Sequence, residues 1–401
     1  MTKQLIKKWA TILIIGFLVL LAIETINMPG QNSVRAICTG LSIDYEDLEY
    51  SVSAQIIIPE AGGEYSQKTV IVNNKAQSIE EALHNMEFQI GKKIRLGHCG
   101  FIILSKDFCE NNITKELDYF LRGNNLGNNT LLLYTDLKAQ KVLEKTSNIN
   151  SNEVDNLQIT SKYNQQHLLS KSSSLMSFFN DYLSPHKTSC MPNITLEEEA
   201  EKKNSSNSQS GAGEKNNSEP TKDSIKNDGS MAVFVNGKCS KVLSPSECEN
   251  FQWFDPKLTE TRLKIENINN DKIKNGTISF TLSHRCINFE YKVLHNQPII
   301  TINYNLGLKP ESITSESHIV PTYSSFVDDV VTNLVSNKIN QAVSNALSLM
   351  QQYEMDLFNF YHQFNLNCHS NWQEYLSNLL PIEHYLDKIK IITNVYCSDE
   401  F

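Results

Sequence analysis

The sequence lacks every short motif that announces a common catalytic site. It contains no G-x-x-x-x-G-K, no G-x-S-x-G and no H-E-x-x-H. That removes the phosphate-cradling loop, the nucleophile elbow and the helical zinc pair from consideration. No cluster of Lys or Arg interleaves with aromatics, and the net charge is -9, so no nucleic acid partner is expected. Nine cysteines are present without a C-x-x-C pair. Such an odd, widely spaced set reads as small buried apolar side chains, with a Cys239–Cys248 disulfide as the alternative in an exported body. His98 beside Cys99, and His284 with Cys286, lack a second ligand pair at zinc spacing and read as strand histidines near packed thiols. The acidic run Asp44, Glu46, Asp47 and Glu49 lacks calcium-loop spacing and reads as a solvated hairpin tip. No metal, cofactor or catalytic residue is expected, and a non-catalytic protein is the leading reading. A hydrolase of the cell envelope using Asp356 with Glu354 is the runner-up, weakened because helix positions two apart point to different faces.

Long apolar runs are also scarce, with one exception. From Trp9 to Ile23 fifteen residues carry no formal charge, and Lys3, Lys7 and Lys8 precede them. Cations before an apolar run hold the N-terminus in the cytoplasm, so the chain beyond the run is exported. The run is shorter than a full span of roughly 20 residues and long for a signal-peptide core. No pair of small residues offers a cleavage site near Ala22, and the first cysteine, Cys38, lies too far downstream for lipidation. The run is therefore read as an uncleaved single-pass anchor carried by Trp9, Ile12, Ile15, Leu18, Leu21 and Ile23, with a cleaved signal peptide as the alternative. Being apolar on every face, it fits a soluble amphipathic helix poorly.

The remaining chain is long enough for two or three domains. Residues 31–146 alternate strand and helix patterns. "YSVSAQIII" has the period of a half-buried strand. "SIEEALHNMEFQIG" opens with Ser78 as N-cap and Glu81 as its capping-box partner. A more polar middle segment, 147–196, contains one amphipathic stretch at Leu168 to Leu183. Residues 197–230 have almost no large apolar residue and read as a disordered linker. From 231 onward "GTISFTLSHR", "CINFEYKVL" and "QPIITINYNLGL" suggest an antiparallel meander. A long helix is expected from Thr322 to about Tyr353. Its apolar positions Tyr323, Phe326, Val327, Val330, Val331, Leu334, Val335, Ile339, Ala342, Val343, Ala346, Leu347 and Met350 keep helical spacing, with Phe326, Val330, Leu334 and Val343 taken as core on that sheet. The expected architecture is thus mixed α+β: an anchor over 1–30, then about three small sheet-and-helix domains, the last an antiparallel sheet covered by a long helix.

The order of these segments resembles the spore germination C-subunit family, Ger(x)C. "GLSIDYEDLEYSVSAQIIIP" is similar to the family's first hairpin, a Gly-x-x-x-Asp followed by a strand carrying Gln-Ile. "SIEEALHNMEFQIGKKIRLGHCGFIILS" resembles its helix and Leu-x-His strand, with His98 as the histidine. "ELDYFLRGNN" resembles its Phe-Leu-Arg helix, with Arg122 as the arginine. "MAVFVNGKCSKVLSPSECENFQWF", "QQYEMDLFNFYHQF", "NWQEYL" and the closing strand come next in family order. The resemblance implies a three-domain protein on the outer face of the spore inner membrane. It would be a nutrient-receptor component working with a multi-spanning A-type subunit and a transporter-like B-type subunit. No catalytic residue is implied. Family members are usually lipoproteins, and this chain departs from that pattern in its apolar N-terminal stretch and in its polar insertion. An envelope structural protein unrelated to germination is a third reading. The aromatics Phe358, Phe360, Tyr361 and Phe364 exceed what one core face needs and are the expected partner surface.

Overall fold

A computed structural model describes residue 16 and residues 35–59, 67–122, 126–147, 174–197, 224–226, 229–256, 262–269, 273–314, 327–379 and 382–399. The expected anchor, most of the polar linker and the approach to the long helix lie outside the described residues. Among the described residues no helix is long and apolar enough to cross a membrane.

The first domain is built from β1 (Arg35–Glu46), β2 (Glu49–Pro59) and β3 (Gln67–Ala76), then α1 (Ile79–Ile90), β4 (Lys93–Arg95) and β5 (Phe101–Ser105). The short α2 (Lys106–Cys109), α3 (Thr114–Leu121), β6 (Leu131–Thr135) and α4 (Ala139–Ser147) come after them. One mixed sheet runs in the order β3-β2-β1-β5-β6, with β4 also paired to β1. The first three strands are antiparallel, whereas β5 and β6 are parallel to β1. Ser78 caps α1 by accepting from the Glu81 N–H at 3.1 Å. Glu81 accepts in turn from Gln77 N–H rather than from Ser78, so the reciprocal half of the box is displaced by one residue. Gly91, at φ 63°, ends the helix in the left-handed conformation that glycine adopts without penalty. Ile79, Leu83 and Met86 of α1 and Leu117 and Phe120 of α3 cover one sheet face, and Ala139, Val142 and Leu143 of α4 cover the other.

The middle of the molecule joins segments that are far apart in sequence. After α5 (Leu175–Leu183) and β7 (Thr188–Pro192), the short β8 (Thr195–Glu197) pairs with β9 (Ser224–Lys226). The ends of the expected linker are therefore paired strands. β10 (Met231–Val235) and β11 (Lys238–Leu243) then form a three-stranded sheet with β7. β10, which opens at the boundary expected at 231, finds its second neighbour at Thr188–Pro192, so the segments on either side of the polar linker share one sheet.

The last domain opens with α6 (Pro245–Phe251), capped by a full box between Ser244 and Glu247. β12 (Arg262–Ile268), β13 (Gly276–Leu294) and β14 (Gln297–Thr314) are next, and "GTISFTLSHR" with "CINFEYKVL" proves to be one 19-residue strand interrupted by register shifts. His295 and Asn296, both at positive φ, make a two-residue hairpin turn. α7 (Asp329–Gln352), α8 (Phe360–Asn367), α9 (His369–Ser377) and β15 (Lys390–Asp399) complete the chain. Two expectations are corrected here. β15 runs parallel to β14, so the sheet is mixed rather than antiparallel. The long helix starts at Asp329, where Asp328 accepts from the Val331 N–H at 2.8 Å, not at Thr322. Its buried stripe is Val331, Val335, Ile339, Ala342, Val343, Ala346 and Met350. Val330 is 40% exposed and Leu334 only half-buried, so of the four residues assigned to the stripe Val343 alone is buried, and Phe326 lies outside the described residues.

Candidate partner surface and the buried carboxylates

The segment after α7 makes a tight turn in which Glu354 and Asn359 both adopt positive φ. Between them the carboxylate of Asp356 is buried. Its Oδ1 accepts from the Phe360 N–H at 2.8 Å, and its Oδ2 from the Tyr361 N–H at 3.0 Å. Oδ2 also accepts the Tyr385 hydroxyl at 2.6 Å. Asp356 therefore caps α8 from outside the usual N-cap position, since Asn359 sits there without a side-chain bond. Burial, and then the Asp356 charge, push the Tyr385 hydroxyl far above the usual tyrosine range, so it remains a donor. The Asp356 N–H donates to Thr188 Oγ1 at 3.1 Å, tying β7 to this turn. Glu354 is half-exposed and pairs with His384 at 3.0 Å. The two carboxylates lie in the turn after α7 rather than on a helix, and each is engaged separately.

The four aromatics expected to face a partner are turned inward. Phe360 and Phe364 are 0% exposed, and Phe358 and Tyr361 are half-buried. Phe358 stacks on Phe254 at 4.8 Å between centroids, and Phe364 stacks on Trp372 at 4.8 Å. Tyr361 meets Trp372 and Tyr385 edge-on at 5.7 and 5.4 Å. Tyr291 of β13 closes the cluster against Phe364 at 5.3 Å. The excess over one core face is real, but a second layer formed by α6, α9 and the Gln252–Phe254 turn absorbs it. What this segment leaves outward is Leu366, 64% exposed.

The other residues singled out from sequence each have their own surroundings. His98 is exposed in a turn before β5, while Cys99 is buried and donates to the Phe101 carbonyl at 3.2 Å. Cys38 lies buried beside Cys99, and its thiol is pushed up by that neighbour and by burial. Cys239 and Cys248 are both free thiols. Of the acidic run, Glu46 pairs with Lys138 and Lys75 at 2.6 and 3.4 Å, and those partners, Lys138 foremost, hold its carboxyl below the usual range. Asp44 is not part of a solvated tip. It is buried and accepts from the Ala139 and Gln140 N–H groups at 2.7 and 2.9 Å, capping α4 across 95 residues of sequence. Burial raises its carboxyl against those bonds. Arg285, between His284 and Cys286, was not singled out by sequence. Its guanidinium lies 5.2 Å from the Trp253 ring centroid and donates to the Gln252 carbonyl, and burial lowers it to about 10. Among the described residues no three His, Cys, Asp or Glu side chains converge as metal ligands.

The fold is a mixed α+β scaffold in which buried Asp44 and Asp356 cap helices and aromatic rings tie layers together. The family described as "Spore germination protein N-terminal domain" matches residues 33–196, and "Spore germination B3/ GerAC like, C-terminal" matches 229–395. The chain belongs to this spore germination C-subunit family, Ger(x)C, and is a component of a spore germination receptor. Its fold is similar to the crystal structure of the GerBC protein, with a TM-score of 0.53 at 14% identity over 90% of this chain and 97% of that one. No curated protein matches the chain.

Proposed function

We propose that this protein is a membrane-anchored, non-catalytic subunit of a nutrient germinant receptor, its body on the outer face of the spore inner membrane. It assembles there with a multi-spanning A-type subunit and a transporter-like B-type subunit. The observation that carries this reading is the tandem match of both family domains along the chain. The apolar run after Lys7 and Lys8 supports anchoring by a helix through Trp9, Ile12, Ile15, Leu18, Leu21 and Ile23. The engagement of Asp356 and Glu354 in a helix cap and a surface ion pair supports a scaffold role over hydrolysis. The partner contact of the 358–367 segment is assigned to its outward side, where Leu366 is the large exposed apolar residue.

Deletion of the gene, scored by nutrient-induced spore germination, tests the receptor role. Loss of the response to at least one nutrient is expected, and wild-type germination to every nutrient contradicts the reading. Co-purification from spore membranes tests assembly, with Leu366→Asp expected to reduce recovery of the other subunits without moving the melting temperature. Intact mass from the same membranes tests anchoring, and a lipid-modified or truncated species contradicts it.

A further inference from the structure

The β1–β2 hairpin and the corner between α2 and α3 enclose a cavity of about 210 Å³. Tyr45 and Tyr50 are cross-strand partners beside the hairpin turn, their ring centroids 5.0 Å apart and their planes tilted by 49°. Phe108, buried on α2, meets Tyr50 edge-on at 6.2 Å. Glu116, in the first turn of α3, supplies the charged wall. Its Oε1 accepts the Tyr50 hydroxyl at 3.0 Å. Its Oε2 is buried and, among the described residues, accepts no hydrogen bond. Burial and Glu116 push the Tyr50 hydroxyl up to about 12, so the tyrosine stays a donor at neutral pH. Asn111 and Asn112 line the cavity as well, and among the described residues no lysine or arginine does.

A carboxylate oxygen removed from water without a donor is costly, and aromatic rings present negative faces to a cation held within about 6 Å. One carboxylate among three aromatic rings suits a cation with an apolar body. It does not suit a bare calcium or magnesium ion, which needs a shell of oxygens. We propose that this cavity binds an organic cation, an alkylammonium group whose N–H meets Glu116 Oε2 while its carbon stem packs on Tyr45, Tyr50 and Phe108. The cation is either a free amine or the side chain of a lysine on a partner protein. The inference goes beyond the receptor reading and is tested without any germination phenotype.

Full-length protein in detergent is titrated by calorimetry with n-butylammonium chloride, with Nα-acetyl-lysine methylamide and with the neutral n-pentanol. Saturable binding of a cation is expected, with n-pentanol weaker by roughly tenfold or more. Binding of butylammonium alone supports the site and identifies a free amine. Binding of the lysine amide at least as tightly supports it and identifies a partner's side chain. Glu116→Gln keeps an acceptor for Tyr50 and should weaken the cation by roughly tenfold or more at an unchanged melting temperature. If that variant melts early, Tyr45→Leu, which leaves the Tyr50–Glu116 bond in place, carries the same expectation of weakened binding. Equal affinity for alcohol and ammonium, cation binding untouched by the variants, or no saturable binding of either cation overturns the proposal.

Discussion

Single residues in this fold act over long stretches of sequence, and their substitution tests that directly. Asp356 satisfies two helix N–H groups and one tyrosine hydroxyl, those of Phe360 and Tyr385 buried and that of Tyr361 partly so. Asp356→Ala leaves those donors without an acceptor and should lower stability by about 2–4 kcal/mol in urea titration. Glu354→Ala removes only an exposed pair with His384 and should change it by less than about 1 kcal/mol. Equal effects would show that the capping role is misassigned. Gly40 has a different reason to be small, since a Cβ there would lie 2.5 Å from Phe101 Cζ. Gly40→Ala is expected to cost about 1–3 kcal/mol, because the ring sits in a packed layer with α4 and has nowhere to move. The Gly-x-x-x-Asp of the first hairpin thus has a physical content: Gly40 admits Phe101, and Asp44 caps α4. A composition reading could not reach it, because both partners lie more than 60 residues away. The buried thiols give a third measurement. The neighbouring Cys99 and then burial raise Cys38, and burial raises Cys109, well above the usual thiol range. Maleimide should leave both unlabelled in native protein and label them only in denaturant, and rapid native labelling would refute the assignment.

At the scale of elements, the pattern of apolar residues located α1, α3 and α4, each burying one face, and the strands of the first sheet apart from the three-residue β4; among these strands β5 is a short apolar run buried on both faces. It failed to orient α7. Fourteen apolar positions from Tyr323 to Met350 are more than one stripe holds, so the pattern fits several rotations about the helix axis, and packing against β12, β15 and α6 selects one of them. Val331, Val335 and Ile339 face inward, and Val330 faces out. Ile339→Ala should therefore cost about 2–5 kcal/mol, while Val330→Ala stays within about 0.5 kcal/mol. Thermal melts of the two variants distinguish the rotations, and the reverse ranking would restore the one read from sequence. The direction of β15 was illegible for a related reason. Alternation along "KIKIITNVY" gives a strand and its faces but not whether its neighbour runs with it or against it, which depends on the path through α8 and α9.

For the whole molecule, the decisive element is the short sheet β7-β10-β11. The run "MAVFV" has no polar alternation because both of its faces are covered. Ala232 and Phe234 enter the core of the first domain, with Phe234 meeting Phe178 edge-on at 5.6 Å, whereas Met231 and Val233 enter the core of the last domain. β7 divides in the same way, with Cys190 on one side and Met191 on the other. A strand buried on both faces reads as a continuous apolar run, and sequence alone cannot say that two different cores claim its alternate residues. The sheet is thus a shared wall, and the Asp356–Thr188 bond fastens its β7 edge to the last domain. A shared wall couples stabilities. Phe234→Ala removes a buried ring from the first domain's side and should cost about 3–5 kcal/mol, yet its effect should not stop there. Losing the wall exposes Met231 and Val233 as well, so the last domain loses a buried face when the first one opens. Native-state hydrogen exchange in low denaturant measures this coupling. Amides of β5 in the first sheet and β14 in the last should exchange faster together in Phe234→Ala, and Val233→Ala should give the same paired response from the opposite side. If Phe234→Ala speeds β5 alone while β14 keeps wild-type protection, the two cores unfold independently and the wall does not join them.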